Sequence, residues 1–206
     1  YEDVYKKEFT ATVVECRERK KGYEVILDES AFYPEGGGQP SDVGILGDAK
    51  VTEVHEKDGE LLHYTDKALE VGAKVEGKID WAHRFDLMQQ HSGEHMVSGI
   101  IHEKYGYDNV GFHMGSDVIT VDLNGMLDEA QLAEIEQEVN ERVWEDKEVQ
   151  ITYPTAEELK TLDYRSKKEL TGQVRIVTFP GVDVCACCGT HVTHTGEIGM
   201  VKLLSV

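Results

Sequence analysis

The stretch Lys74-Val75-Glu76-Gly77-Lys78-Ile79-Asp80-Trp81-Ala82-His83-Arg84-Phe85 decides the fold. Lys74–Ile79 alternates apolar and charged residues with the period of a strand. From Trp81 the pattern changes: Phe85, Met88, His91, His95 and Ile100 follow with no proline before Tyr105, which predicts one long helix. β composition therefore gives way to helix near Asp80–His83, and the chain is read as two domains, 1–82 and 83–206. Gly93 and Gly99 lie inside the predicted helix and weaken its intrinsic propensity.

Upstream of that boundary, Phe9–Val14, Tyr23–Leu27, Lys50–His55 and Glu60–Tyr64 carry the same strand pattern at short spacing. Turns are marked by Lys57-Asp58-Gly59 and Glu70-Val71-Gly72. Several short strands with regular turns predict a small β-barrel. Downstream, Val118–Leu123 reads as a strand and Asp128–Asp146 as a helix. That helix has an apolar stripe of Leu132, Ile135, Val139 and Val143, with Asp128 as its cap. Gln150–Tyr153 is a strand ended by Pro154, and Thr155–Glu158 has capping-box spacing. Gln173–Phe179, Val182–Val184 and Ile198–Leu204 read as strands. The fold class is α+β: an N-terminal small β-barrel, then a two-layer α/β domain.

Two short pairs carry the chemistry. His91-Ser92-Gly93-Glu94-His95 places two imidazoles one helical turn apart on one face. Cys187-Cys188-Gly189-Thr190-His191 offers a thiolate and a third imidazole from a turn that Gly189 eases. Three imidazoles and one thiolate suit tetrahedral Zn²⁺. Spacing alone leaves Cys185, Cys187 and Cys188 as alternative thiolates, and His194 as a spare imidazole read as surface. The first pair also has the His-x-x-Glu-His order of inverted zincins, with Glu94 as general base of a peptidase. Those sites are completed by a downstream carboxylate, whereas a Cys/His turn stands here. A zinc-stabilised RNA-binding module without catalysis is the other reading.

Composition narrows the setting. Four cysteines, three of them within Cys185–Cys188, do not form a spread disulfide framework and predict a reducing cytoplasm. The longest apolar run, Val184–Cys188, is far too short to span a membrane, and no signal segment is read at the start. The chain begins at Tyr1 rather than Met and is expected to be a piece of a longer protein. Forty acidic against twenty-one basic residues give a net charge of -19. A polyanion is then disfavoured except at local basic patches. The candidates are Arg165 with Lys167 and Lys168, Arg175, Lys160 and the Arg17–Lys21 cluster.

A third feature is Tyr33-Pro34-Glu35-Gly36-Gly37-Gly38-Gln39-Pro40-Ser41-Asp42-Val43-Gly44. No Lys-Ser/Thr follows the glycines, so it is no Walker A loop. By itself it reads as a barrel hairpin with a glycine turn.

Together, in this order, the three features resemble the editing module of alanyl-tRNA synthetase and its freestanding AlaX relatives. The resemblance covers nearly the whole chain, including Thr195-Gly196-Glu197-Ile198-Gly199 and Tyr164–Leu170. It implies Zn²⁺ on His91, His95, Cys187 and His191. It further implies hydrolysis of the aminoacyl ester of tRNA(Ala) bearing the wrong amino acid, serine or glycine. Ser92, Glu94 and His113 fall at the catalytic positions so implied. Gly36, Gly37, Gly38, Gln39 and Thr190 are the candidate substrate-binding residues, and Arg165, Lys167 and Lys168, by their charge, are the candidates for a phosphate contact near the tRNA acceptor end. The sequence departs from the family pattern at Glu94, at His113-Met114-Gly115 and at Cys188. The editing domain of threonyl-tRNA synthetase, with similar pairs, is the nearest rival.

Overall fold

The computed structural model describes residues 3–115, 117–166 and 172–205. The chain divides into two compact units, 1–87 and 88–206.

Unit 1 is a closed six-stranded barrel. Strands β1 (Glu8–Glu18), β2 (Tyr23–Leu27), β3 (Gly44–Leu46), β4 (Ala49–Lys57), β5 (Glu60–Thr65) and β6 (Lys74–Ile79) pair in the order β1-β2-β5-β4-β3-β6, and β6 returns to β1. The alternation seen in the sequence sets the facing: Phe9, Ala11 and Val13 of β1 and Val75 and Ile79 of β6 are buried. Gly77 pairs with Phe9, and a Cβ there would lie 2.3 Å from the Phe9 ring, so glycine makes room for an aromatic across the ladder. β3, with three residues, is too short to show a strand period in the sequence, yet it closes the barrel by joining β4 to β6. One imidazole sits in this apolar interior. His63 is fully buried, with Nδ1 3.0 Å from the Val25 carbonyl, Nε2 2.8 Å from Ser30 Oγ and its edge on Phe32. Burial drives its pKa down to about 4.

The glycine-rich motif is part of the barrel unit. Gly36 and Gln39 exchange both backbone hydrogen bonds, at 3.1 and 3.0 Å. Gly37 and Gly38 between them have φ of 62° and 84°, as a two-residue hairpin turn requires. Beyond the turn the motif is anchored: Ser41 Oγ accepts Val54 N–H at 3.0 Å, and Asp42 accepts Tyr33 N–H at 2.6 Å. Asp42 also forms a buried ion pair with Arg84, whose guanidinium donates to the carbonyls of Val4 and Ala31. Arg84 lies on α1 (Trp81–Tyr105), which explains why the unit boundary falls inside that helix after Leu87 rather than at its start. Composition marks the change of secondary structure, whereas packing keeps the first turns of the helix with the barrel.

Unit 2 holds the rest of α1, a two-stranded sheet of β7 (Asn109–Met114) and β8 (Ile119–Leu123), α2 (Glu129–Trp144) and a three-stranded antiparallel sheet. That sheet runs β11 (Asp183–Ala186), β10 (Ile176–Phe179), β9 (Gln150–Thr152), and a short helix, α3 (Ala156–Leu159), follows β9. The whole is mixed α+β, and the strands of unit 2 form two separate small sheets among the described residues. α1 runs unbroken through Gly93 and Gly99. Asp128 caps α2 with Gln131 in a reciprocal capping box, and Ile135, Val139 and Val143 are buried as the stripe predicts.

The strand expected at Ile198–Leu204 does not form. Thr195–Ile198 is a 3-10 turn, and the backbone after it is satisfied by side chains of α2. Asn140 donates to Val201 O and accepts Val201 N–H, both at 2.8 Å, and Glu136 accepts Leu203 N–H at 2.7 Å. Alternating apolar residues fit a ladder, but here an asparagine and a glutamate replace the partner strand.

Candidate metal centre

The unbroken helix sets His91 and His95 one turn apart, both buried, with ring centroids 5.3 Å apart. The turn after β11 brings Cys187 and His191 to them. It is held by Arg175, which donates to Cys187 O at 2.7 Å and Gly189 O at 3.1 Å, and by Gly189 N–H on Cys187 Sγ at 3.4 Å. One donor atom from each of His91, His95, Cys187 and His191 lies within 4.8 Å of all the others. Cys187 Sγ is 3.5 Å from His91 Nε2 and 3.4 Å from His191 Nε2. A tetrahedral zinc with Zn–N of ~2.0 Å and Zn–S of ~2.3 Å has an N–S edge of ~3.5 Å. The donor set and its spacing therefore fit zinc. Geometry also decides among the cysteines: Cys188 is exposed, and Cys185 belongs to a different group with His95 and Asp183. His194 is exposed, beside Thr193 and Glu197.

The clustered groups shift one another in different directions. Burial raises the Cys187 thiol, but the imidazoles of His91 and His191 outweigh it and hold the thiol well below its ordinary range. Burial, with His91 adding to it, pushes His191 down to about 3. For His95 burial opposes charge, but Asp183, Cys185 and Cys187 outweigh it and raise the group well above its ordinary value.

Around the donors stand residues that no motif announced. Phe112 stacks on His91 at 5.2 Å and Phe179 on His95 at 5.5 Å. Asp183 Oδ2 lies 2.8 Å from His95 Nδ1, and Arg165 clamps both oxygens of the same carboxylate, at 2.7 and 2.9 Å. Gly99 allows this approach: a Cβ there would lie 2.4 Å from Val182 O and 2.8 Å from Asp183 Cβ. The strand alternation that buries Phe179 was the available signal for one ring; Asp183 had none.

The other expected site residues fall in distinct places. Ser92 is fully buried; its Oγ accepts Val192 N–H at 3.2 Å and lies 3.4 Å from His191 Nδ1, so it braces the second ligand pair. Glu94 is buried, with Oε1 accepting Ser98 Oγ–H and Asn109 Nδ2–H, each at 2.5 Å. That engagement weakens its reading as a peptidase base. His113 is exposed on β7, while its neighbour Phe112 carries the contact with His91. Thr190 is fully buried within the ligand turn. Gly37 and Gly38 are exposed at the tip of their turn, and Gln39 is buried. Arg165, expected to meet phosphate, is instead committed to Asp183, because a buried carboxylate is the stronger claimant for its guanidinium. Arg175 is likewise committed, to the carbonyls of the ligand turn. Lys167 and Lys168 lie outside the described residues.

A barrel unit is followed by a unit with a buried His/His/Cys/His cluster, and sequence comparison shows what such a chain is similar to. Residues 174–206 match the family described as the threonyl and alanyl tRNA synthetase second additional domain, and residues 3–83 match the class II (A) tRNA synthetases. Over nearly its whole length the chain is similar to proteins described as alanyl-tRNA editing proteins. It is 36% identical to the alanyl-tRNA editing protein AlaX-L of Pyrococcus horikoshii, over 99% of this chain and 53% of the relative. It is 33% identical to the alanyl-tRNA editing protein Aarsd1 of Mus musculus, over 98% of this chain and 53% of the relative. The alanine–tRNA ligase of Methanobrevibacter smithii is 37% identical over 98% of this chain and 24% of its own length. The chain thus spans about half the length of the editing proteins it matches.

Proposed function

We propose that this chain hydrolyses the aminoacyl ester of mischarged tRNA(Ala), seryl and also glycyl, as a zinc-dependent deacylase. The observation that carries the reading is the buried cluster of His91, His95, Cys187 and His191, whose N–S spacings fit a tetrahedral zinc, in a chain related to alanyl-tRNA editing proteins. Zinc held there would supply Lewis acidity toward an ester carbonyl or water.

The chain's own residues do the rest. Arg175 fixes the turn that presents Cys187 and His191, and Ser92 braces His191 from α1. Phe112 and Phe179 shield the imidazoles from water, which strengthens electrostatic interactions at the centre. Ser92 and Thr190 lie within the two ligand pairs and are assigned to the aminoacyl group, where a hydrogen bond to the seryl hydroxyl would favour seryl over alanyl ester. The exposed Gly37–Gly38 turn, with Gly36 and Gln39 at its base, and Lys167 and Lys168 are assigned to the tRNA. No helix among the described residues is long and apolar enough to cross a membrane, and the crowding of three cysteines within Cys185–Cys188 suits a reducing cytoplasm.

The test is deacylation of Ser-, Gly- and Ala-tRNA(Ala) beside Ser-tRNA(Thr), before and after treatment with a chelator. Seryl-tRNA(Ala) should be hydrolysed, alanyl-tRNA(Ala) spared, and the chelator should abolish the activity. Preference for Ser-tRNA(Thr) would place the chain with the threonyl editing domains. Full activity without metal would reduce the cluster to a structural role. A peptidase activity lost in Glu94→Gln would revive the zincin reading.

A further inference from the structure

Asp183 lies outside both ligand pairs, at the first position of β11, yet three separate devices converge on it. Its buried carboxylate reaches His95 Nδ1 at 2.8 Å through Oδ2. Arg165 forks both oxygens, Nε on Oδ1 at 2.7 Å and Nη2 on Oδ2 at 2.9 Å. The backbone of Arg165 is fastened to the same strand, its N–H on Val184 O at 2.8 Å and its carbonyl accepting Ala186 N–H at 2.9 Å. Gly99, one helical turn beyond His95, removes the Cβ that would hold Val182 and Asp183 away.

We propose that Asp183, fixed by Arg165, is the positioning residue of the metal centre. It accepts the Nδ1–H of His95, which selects that tautomer and leaves Nε2 as the donor turned to the cluster. This rests on the reading of the cluster as a metal site and adds what orients one of its ligands. The alternative, a second cation among His95, Asp183 and Cys185, is disfavoured although their donor atoms lie within 4.8 Å of one another. Both carboxylate oxygens already face a guanidinium, and a cation added there would meet that charge at close range. Ligating histidines commonly donate their other N–H to a carboxylate, and loss of that partner costs about 10- to 100-fold in metal affinity. Arg165 serves the arrangement at one remove, by denying the carboxylate any other rotamer.

The experiment measures zinc affinity of the metal-stripped chain by competition with a chromogenic chelator, together with the visible spectrum of the Co²⁺-loaded protein. Asp183→Ala should bind zinc about 10- to 100-fold more weakly and shift the Co²⁺ bands. Asp183→Asn keeps the size and an acceptor oxygen and should recover part of the affinity. Arg165→Met should lose less than Asp183→Ala, because the carboxylate remains. Asp183→Asn also carries the test if the alanine variant does not fold. The proposal is overturned if Asp183→Ala and Asp183→Asn bind zinc within about twofold of the parent, with the parent's Co²⁺ spectrum. It is equally overturned if all three variants lose affinity only in step with a fall in the metal-free unfolding midpoint. His95→Ala and Cys187→Ser separate the two levels: if they too bind as the parent does, the cluster itself is not the metal site.

Discussion

The two units each bury an arginine–aspartate pair, and the pairs do different work. In the barrel unit, Asp42 faces Arg84, and their remaining partners are backbone: Tyr33 N–H, and the carbonyls of Val4 and Ala31. In unit 2, Asp183 faces Arg165, and its remaining partner is the imidazole of His95. The same ionic chemistry locks a loop in one case and aims a ligand in the other. What distinguishes them is the third contact of the carboxylate, not the strength of the pair. Two of the buried histidines, His63 and His95, diverge for the same reason. His63 has a carbonyl and a hydroxyl for polar partners and is lowered by burial, whereas His95 has the Asp183 carboxylate, with Cys185 and Cys187, and is raised.

The largest expected effect lies in the barrel. Arg84→Met strands the Asp42 carboxylate in an interior with no replacement cation. It should destabilise unit 1 by about 3–5 kcal/mol in denaturant unfolding, as breaking a buried pair does. Double replacement of Asp42 and Arg84 by apolar residues should restore much of that loss. If Arg84→Met unfolds like the parent, the pair is not what anchors the glycine-rich motif.

The His63 contrast is tested by acid. Between pH 6.5 and about 4 the unfolded chain binds a proton at His63 that the folded chain excludes. Stability should therefore fall as pH falls through that window, by about 3 kcal/mol from this group alone, at ~1.36 kcal/mol per pK unit. His63→Gln should flatten that part of the pH–stability curve; an unchanged slope would mean the imidazole is not the titrating group.

A smaller effect separates the helix glycines. Gly99→Ala forces a methyl against the Val182 carbonyl and should cost about 1–3 kcal/mol as an overpacking change. At Gly93 a Cβ would meet Val201 Cγ2 at 3.4 Å, an ordinary contact, so Gly93→Ala should be near neutral. Equal effects of the two would show that helix propensity, not close approach, explains the glycines. The smallest expected effect is at the neighbouring cysteines. Cys188→Ser should leave zinc content unchanged while Cys187→Ser removes it, by elemental analysis of the purified chain.

Local signals explain what the sequence made legible. Period-two alternation announced Lys74–Ile79, and the 3.6-residue stripe with its capping box announced α2. Both are nearest-neighbour patterns that tertiary packing reinforced. The ligand pairs were legible because each lies within five residues. The role of Asp183 was not, since it meets His95 from 88 residues away and Arg165 from 18. The basic run around Arg165 suggested phosphate because a sequence displays charge but not the buried carboxylate that has already claimed it. Ile198–Leu204 misled for the opposite reason: its alternation was real, but Asn140 and Glu136 supplied the hydrogen bonds a neighbouring strand would have given.

The most direct measurement is a zinc add-back titration of metal-stripped protein, followed by the rate of Ser-tRNA(Ala) deacylation. The rate should start near zero and rise to a plateau at one zinc per chain, and Cys187→Ser should stay at baseline throughout. A stripped protein that already hydrolyses Ser-tRNA(Ala) at the full rate, or a Cys187→Ser variant that follows the parent's curve, would contradict the assignment of this centre to the reaction.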